Sequence, residues 1–171
     1  SLVFVSCKKK DPVAPNELEG LRLVTTLNND NHTIELYTAN GKLQTGYNAI
    51  FFQIKNGDGS LVNNATASWM PVMSMMSMSH SCPASAIAKK AGAASTYGGF
   101  IIFQMAGSEM EYWELMLEYT IGGVEYSAED KIQVEAAPKR VVESFQGSDE
   151  KRYVLALVEP GAPRVALNDM S

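Results

Sequence analysis

The residues of this chain with the most chemistry to offer lie between Trp69 and Pro83, which read WMPVMSMMSMSHSCP. Met70, Met73, Met75, Met76 and Met78 supply thioethers, His80 an imidazole and Cys82 a thiol. Soft sulfur donors together with a histidine select Cu(I) over hard ions such as Ca²⁺ or Mg²⁺. On an extended strand Met76, Met78, His80 and Cys82 share one side, and Met73 and Met75 take the other, with Met73 or Met70 reaching in from the turn after Trp69. Ser74, Ser77, Ser79 and Ser81 are small and polar, which favours an exposed segment, and Pro71 and Pro83 discourage a continuous helix. The candidate ligands are therefore Met70, Met73, Met76, Met78, His80 and Cys82. Two other readings stay open. Methionine is a flexible core filler, and Met-rich surfaces also dock partner proteins. A core strand would carry Val, Ile, Leu or Phe, as residues 49–54 do, whereas Met alternating with Ser is poor core material.

Other site chemistry is sparse. The chain has no GxGxxG, Walker loop, HExxH or GxSxG pattern, and no enzyme is expected. Two histidines, His32 and His80, exclude a three-histidine metal centre within one chain, and two cysteines, Cys7 and Cys82, exclude a four-cysteine zinc site. His32, at the edge of a turn, reads as an exposed side chain. Glu114 and Glu118 share a strand face and read as part of a solvated surface.

The elements that must position these groups read as β-strands. A chain of 171 residues holds about one domain plus a remainder. With 46% hydrophobic and 19% charged residues it has the profile of a packed globular protein, not a disordered one. A net charge of −5 argues against nucleic acid as a partner. Segments 21–27, 33–38, 47–55, 65–70 and 98–105 are rich in β-branched, aliphatic or aromatic residues and are separated by turn material such as Asn40-Gly41 and Asn56-Gly57-Asp58-Gly59. The clearest signal runs from Tyr112 to Ile121. There Trp113, Leu115, Leu117, Tyr119 and Ile121 fall on one face, and Tyr112, Glu114, Met116, Glu118 and Thr120 on the other. Gly122-Gly123 predicts a tight hairpin into residues 124–134. Residues 84–94 predict one short helix or a loop. About seven short strands with frequent turns predict an all-β antiparallel sandwich over residues 19–135. Residues 136–147 read as a linker, and 148–171, with a strand-like run from Tyr153, as the start of a truncated second β domain.

The first residues, Ser1-Leu2-Val3-Phe4-Val5-Ser6-Cys7, form an apolar run ending in a small residue and then Cys, followed by Lys8-Lys9-Lys10-Asp11-Pro12. This resembles the end of a lipoprotein signal peptide and its tether. The resemblance implies cleavage before Cys7, lipidation of its sulfur and a location in the cell envelope, with residues 1–18 as signal remnant, lipidated Cys and tether.

Trp69-Met70-Pro71 followed by Met73, Met75, Met78, His80 and Cys82-Pro83 resembles the signature of YtkA-like domains, related to the FixH-like domains. That resemblance covers about residues 21–134. It implies an extracytoplasmic, immunoglobulin-like β-sandwich in which a strand ends in Trp-x-Pro, a Met/His-rich loop follows and a closing hairpin carries Trp. It also implies copper, as Cu(I), for ligand, and a partner in copper handling or oxidase assembly. This segment has a single histidine, His80, where other versions of that loop have several. The expectation is a lipid-anchored binding module that captures Cu(I) for delivery or sequestration; the alternative is an accessory sandwich that docks a partner protein through its Met-rich surface.

Overall fold

The computed structural model describes residues 16–158. Thirteen strands follow in chain order. They are β1 (Arg22–Asn28), β2 (His32–Thr38), β3 (Leu43–Gln44), β4 (Gly46–Asn56), β5 (Thr66–Ser74), β6 (Ser79–Ser81), β7 (Ala88–Lys89), β8 (Thr96–Phe103), β9 (Tyr112–Ile121), β10 (Val124–Ile132), β11 (Val134–Glu135), β12 (Val142–Gln146) and β13 (Arg152–Ala156). Among the described residues there is no helix, so of the two readings of 84–94, a short helix or a loop, the loop holds, with the two-residue strand β7 inside it. The fold is an all-β sandwich. A five-stranded sheet of order β1-β2-β4-β8-β7 faces a four-stranded sheet of order β10-β9-β5-β6, and the short parallel pair β3–β11 closes one end.

Period-2 alternation decides which faces meet. On β9, Trp113, Leu115, Leu117 and Tyr119 are each no more than 2% exposed, while Glu118 is exposed and Glu114 and Met116 are half-buried. Across from them, Ile34, Leu36, Ile50, Phe52, Ile54, Ile101 and Phe103 come from the inner side of the five-stranded sheet. These large side chains form one contiguous core, and apolar area removed from water is the main favourable term in such a fold. The β9–β10 hairpin is continuous from Ile121↔Val124 to Trp113↔Ile132. Its two-residue turn needs positive φ at both central positions, and Gly122 (58°) and Gly123 (85°) provide it without a Cβ penalty. Gly99 has a different use. A side chain there would overlap Ser85, Ala86 and the Trp69 ring, so the missing Cβ lets Trp69 lie against β8 and donate its indole N–H to Ser85 O at 2.9 Å.

Contacts cross both expected boundaries. Glu17, assigned to the tether, is bound to the sandwich. Its carboxylate accepts from Ala94 N (2.6 Å), Ser95 N (3.1 Å) and Thr96 Oγ1 (2.7 Å), and Lys90 Nζ donates to its carbonyl. At the other end, β12 occupies the expected linker and pairs with β13, so position 148 falls inside a hairpin. Gln104 Nε2 donates to Ser144 Oγ at 2.7 Å and Ala137 N to Thr45 Oγ1 at 3.0 Å, which ties this segment to the sandwich. The opposite face of that hairpin is open. Phe145 and Tyr153 stack at 5.6 Å while staying 45% and 42% exposed, and Leu155 is 61% exposed. Cys7, and the run from Arg164, lie outside the described residues.

Candidate functional site

The Met/His/Cys segment is a hairpin, not the single extended strand its Ser–Met alternation suggests. β5 enters along β9, with Met73 opposite Trp113 and Met70 opposite Met116. The chain turns at Met76-Ser77, closed by Met75 N donating to Met78 O at 2.9 Å, and returns as β6, with Ser74 opposite Ser79, Met73 opposite His80 and Val72 opposite Ser81. Directly opposed residues of an antiparallel pair project to the same face. Met73 and His80 therefore share the inner side, and the alternation carries Met75, Met78 and Cys82 to that side as well. Ser81, on the outer side, locks the hairpin by donating its hydroxyl to Pro71 O at 2.8 Å.

The six candidate ligands accordingly divide. His80 and Cys82 project to the inner side, and alternation sends Met78 the same way at the rim, where it is 61% exposed. Met73 is there too, but as a wholly buried core residue, which corrects both its expected place on the far side and the idea that Met in this segment is poor core material. Its unbranched thioether lies on the row between Trp113 and His80, where a β-branched side chain has less freedom to adapt. Met76 sits at the tip of the turn, 78% exposed, and Met70 lies on the outer face, 49% exposed, so neither belongs with the rest. Met75, which the strand picture sent to the wrong side, joins the inner group and packs against the core.

His80 is half-buried, with its ring edge-on to Trp113 at 5.7 Å. Its Nδ1 lies 3.0 Å from Ser81 O. A carbonyl only accepts, so Nδ1 carries the proton and the lone pair is on Nε2, the arrangement used to orient a metal-binding imidazole. His80 borders an open cleft of about 520 Å³, walled also by Met105, Gln104, Ser144 and Arg152. Met105 gave no local signal in the sequence; it reaches the cleft because β8 ends beside Trp113, whose indole N–H donates to Met105 O at 2.9 Å. Burial pushes the Cys82 thiol up to about 12, so it is a neutral thiol at ordinary pH and a ligand only once a metal displaces its proton. Among the described residues, no three His, Cys, Asp or Glu side chains gather where they would hold a metal ion. A metal at the hairpin must therefore draw on thioethers, which suits a soft monovalent ion and not Zn²⁺ or Ca²⁺.

His32, expected to be exposed, is 8% exposed. Its ring is edge-on to Tyr126 at 4.7 Å, and its Nδ1 is 2.9 Å from Tyr119 Oη. Asn29 Nδ2 donates to that same Tyr119 oxygen at 2.7 Å, and Asn29 Oδ1 accepts from His32 N at 2.8 Å. The cluster fastens the β1–β2 turn to β9 and is structural.

Comparison of the chain with protein-family models, with characterised proteins and with solved structures returned no match.

Proposed function

We propose that this chain is a lipid-anchored, extracytoplasmic binding module of the YtkA-like and FixH-like kind, which captures Cu(I) on the inner side of the β5–β6 hairpin. The observation that carries this reading is the cross-strand arrangement. Met75 with Met78 and Met73 with His80 gather sulfur and imidazole on one side of a hairpin, beside an open cleft. His80 Nε2, the Met75 and Met78 thioethers and the Cys82 sulfur are the donors, and Met73 and Trp113 back them. A bound Cu(I) would be held by soft donors against an apolar wall, which suits reversible capture and handover.

A chelator-competition titration under reducing conditions tests this. Wild type should withdraw Cu(I) from the competitor, His80→Ala should lose most of that capacity, and a Met75/Met78→Leu double variant should lose at least about tenfold in affinity while remaining folded, because Leu keeps the apolar bulk without the sulfur. Equal competition by all three proteins would leave the alternative, an accessory module that docks a partner. That second reading is favoured by Met70 and Met76, which are exposed and face away from the inner group.

A further inference from the structure

Among the described residues, no element packs over the outer face of the β10-β9-β5-β6 sheet, which has its own pattern. Strand register brings Met70 directly opposite Met116, with Glu129 beyond it on β10. One row toward β6, Val72 lies opposite Glu114, which in turn faces Lys131. One row the other way, Ser68 lies opposite Glu118. A cross-strand methionine pair thus sits at the centre of the sheet, with Val72 beside it and carboxylates around it. Among the described residues, the one cation on this face is already engaged, since Lys131 Nζ lies 3.5 Å from the centre of the Tyr112 ring. Toward the Gly122-Gly123 turn the same face hollows into a groove of about 560 Å³, bordered by Glu118 and Glu125 and by the small residues Thr66, Ser68 and Ser127.

We infer that this face docks a basic amphipathic segment of a partner protein, with apolar side chains on Met70, Met116 and Val72 and Lys or Arg side chains toward Glu118, Glu125 and Glu129. Three arguments select that occupant. The Met pair is flexible and polarisable and adapts to an apolar side chain. Four carboxylates against one engaged ammonium repel an acidic partner and attract a cationic one, and such complementarity steers association and excludes wrong partners. Met70, Met116, Glu118, Glu125 and Glu129 are spread over three neighbouring strands, β5, β9 and β10, so a partner that reaches all of them lies across the face. The inference gives the docking reading its partner chemistry, and it stands without copper because the surface lies on the opposite side of the sheet from His80.

The test uses the full chain, ¹⁵N-labelled, titrated with three synthetic peptides of alternating Lys and Leu, Lys and Ser, or Glu and Leu. The Lys–Leu peptide should bind with shifts concentrated in 66–72, 114–120 and 125–131. The Lys–Ser and Glu–Leu peptides should bind at least about tenfold more weakly. A Glu118/Glu125/Glu129→Gln variant should lose about tenfold for Lys–Leu, with its fold checked by circular dichroism, and salt at about 0.5 M should have a similar effect. The same variant should compete for Cu(I) like wild type, so failure here and failure of the copper reading are seen apart. Shifts that map elsewhere, equal binding of the Glu–Leu peptide, an unaffected triple variant, or self-association through this face that the Lys–Leu peptide does not displace would each overturn the inference.

Discussion

At the scale of single residues, His80 and Cys82 carry opposite protonation problems. The Ser81 carbonyl fixes the proton on Nδ1 of His80, so its ligand nitrogen is ready whenever the ring is neutral. Cys82 is not ready, because burial holds its thiol far above neutrality. If Cys82 binds Cu(I), one proton leaves for each ion bound. Apparent affinity then rises about tenfold per pH unit between about pH 7 and 9, a window that lies below the thiol's own ionisation. Competition titrations at several pH values should show that slope in wild type and a flat profile in Cys82→Ser. A flat profile in wild type would remove Cys82 from the ligand set and leave His80 with the thioethers.

At the scale of elements, the parts read correctly from sequence are those whose signal is local. The strict alternation of residues 112–121, ended by two adjacent glycines, is enough to give β9, its buried face and its turn. The β5–β6 hairpin has no such signal. Its turn, Met76-Ser77, contains neither Gly, Asn nor Pro, and β6 is three residues long, so the segment reads as one strand and the sides of Met73, Met75 and Met76 come out wrong. The burial of Met73 and His32 was equally hidden, because it depends on Trp113 and Tyr119, which are distant in sequence. The Glu17 clasp is a third case, since a carboxylate in an apparent tether gives no hint that the 94–96 backbone awaits it. Donation from Thr96 Oγ1 first, and from Ala94 N and Ser95 N, holds the Glu17 carboxyl below its ordinary value of 4.5. A depressed folded value means that the clasp stabilises above about pH 4.5 and that this contribution fades as pH falls through the folded value. Denaturant unfolding of wild type and Glu17→Gln should therefore differ at pH 7 and converge in acid. Identical midpoints at pH 7 would show that the clasp is not coupled to folding.

At the scale of the whole molecule, the described residues divide into a sandwich with one contiguous core and a β12–β13 hairpin that leaves Phe145, Tyr153 and Leu155 open on one side. No helix among the described residues is long and apolar enough to cross a membrane. Attachment to a membrane, as proposed, rests on Cys7. Expressed from its full gene, the protein should partition into detergent and incorporate labelled palmitate, and Cys7→Ser should abolish both. Each buried methylene of an acyl chain contributes about 0.8 kcal/mol, so several chains together make release negligible. Retention and labelling of the variant would refute the anchor.

The central claim is that sulfur and imidazole from one hairpin share one Cu(I). X-ray absorption at the copper edge of the Cu(I)-loaded full chain measures this directly. The account predicts a first shell dominated by sulfur with one imidazole, and loss of the imidazole scattering in His80→Ala. A shell of oxygen and nitrogen without sulfur, or a protein that holds no Cu(I) to measure, would contradict it.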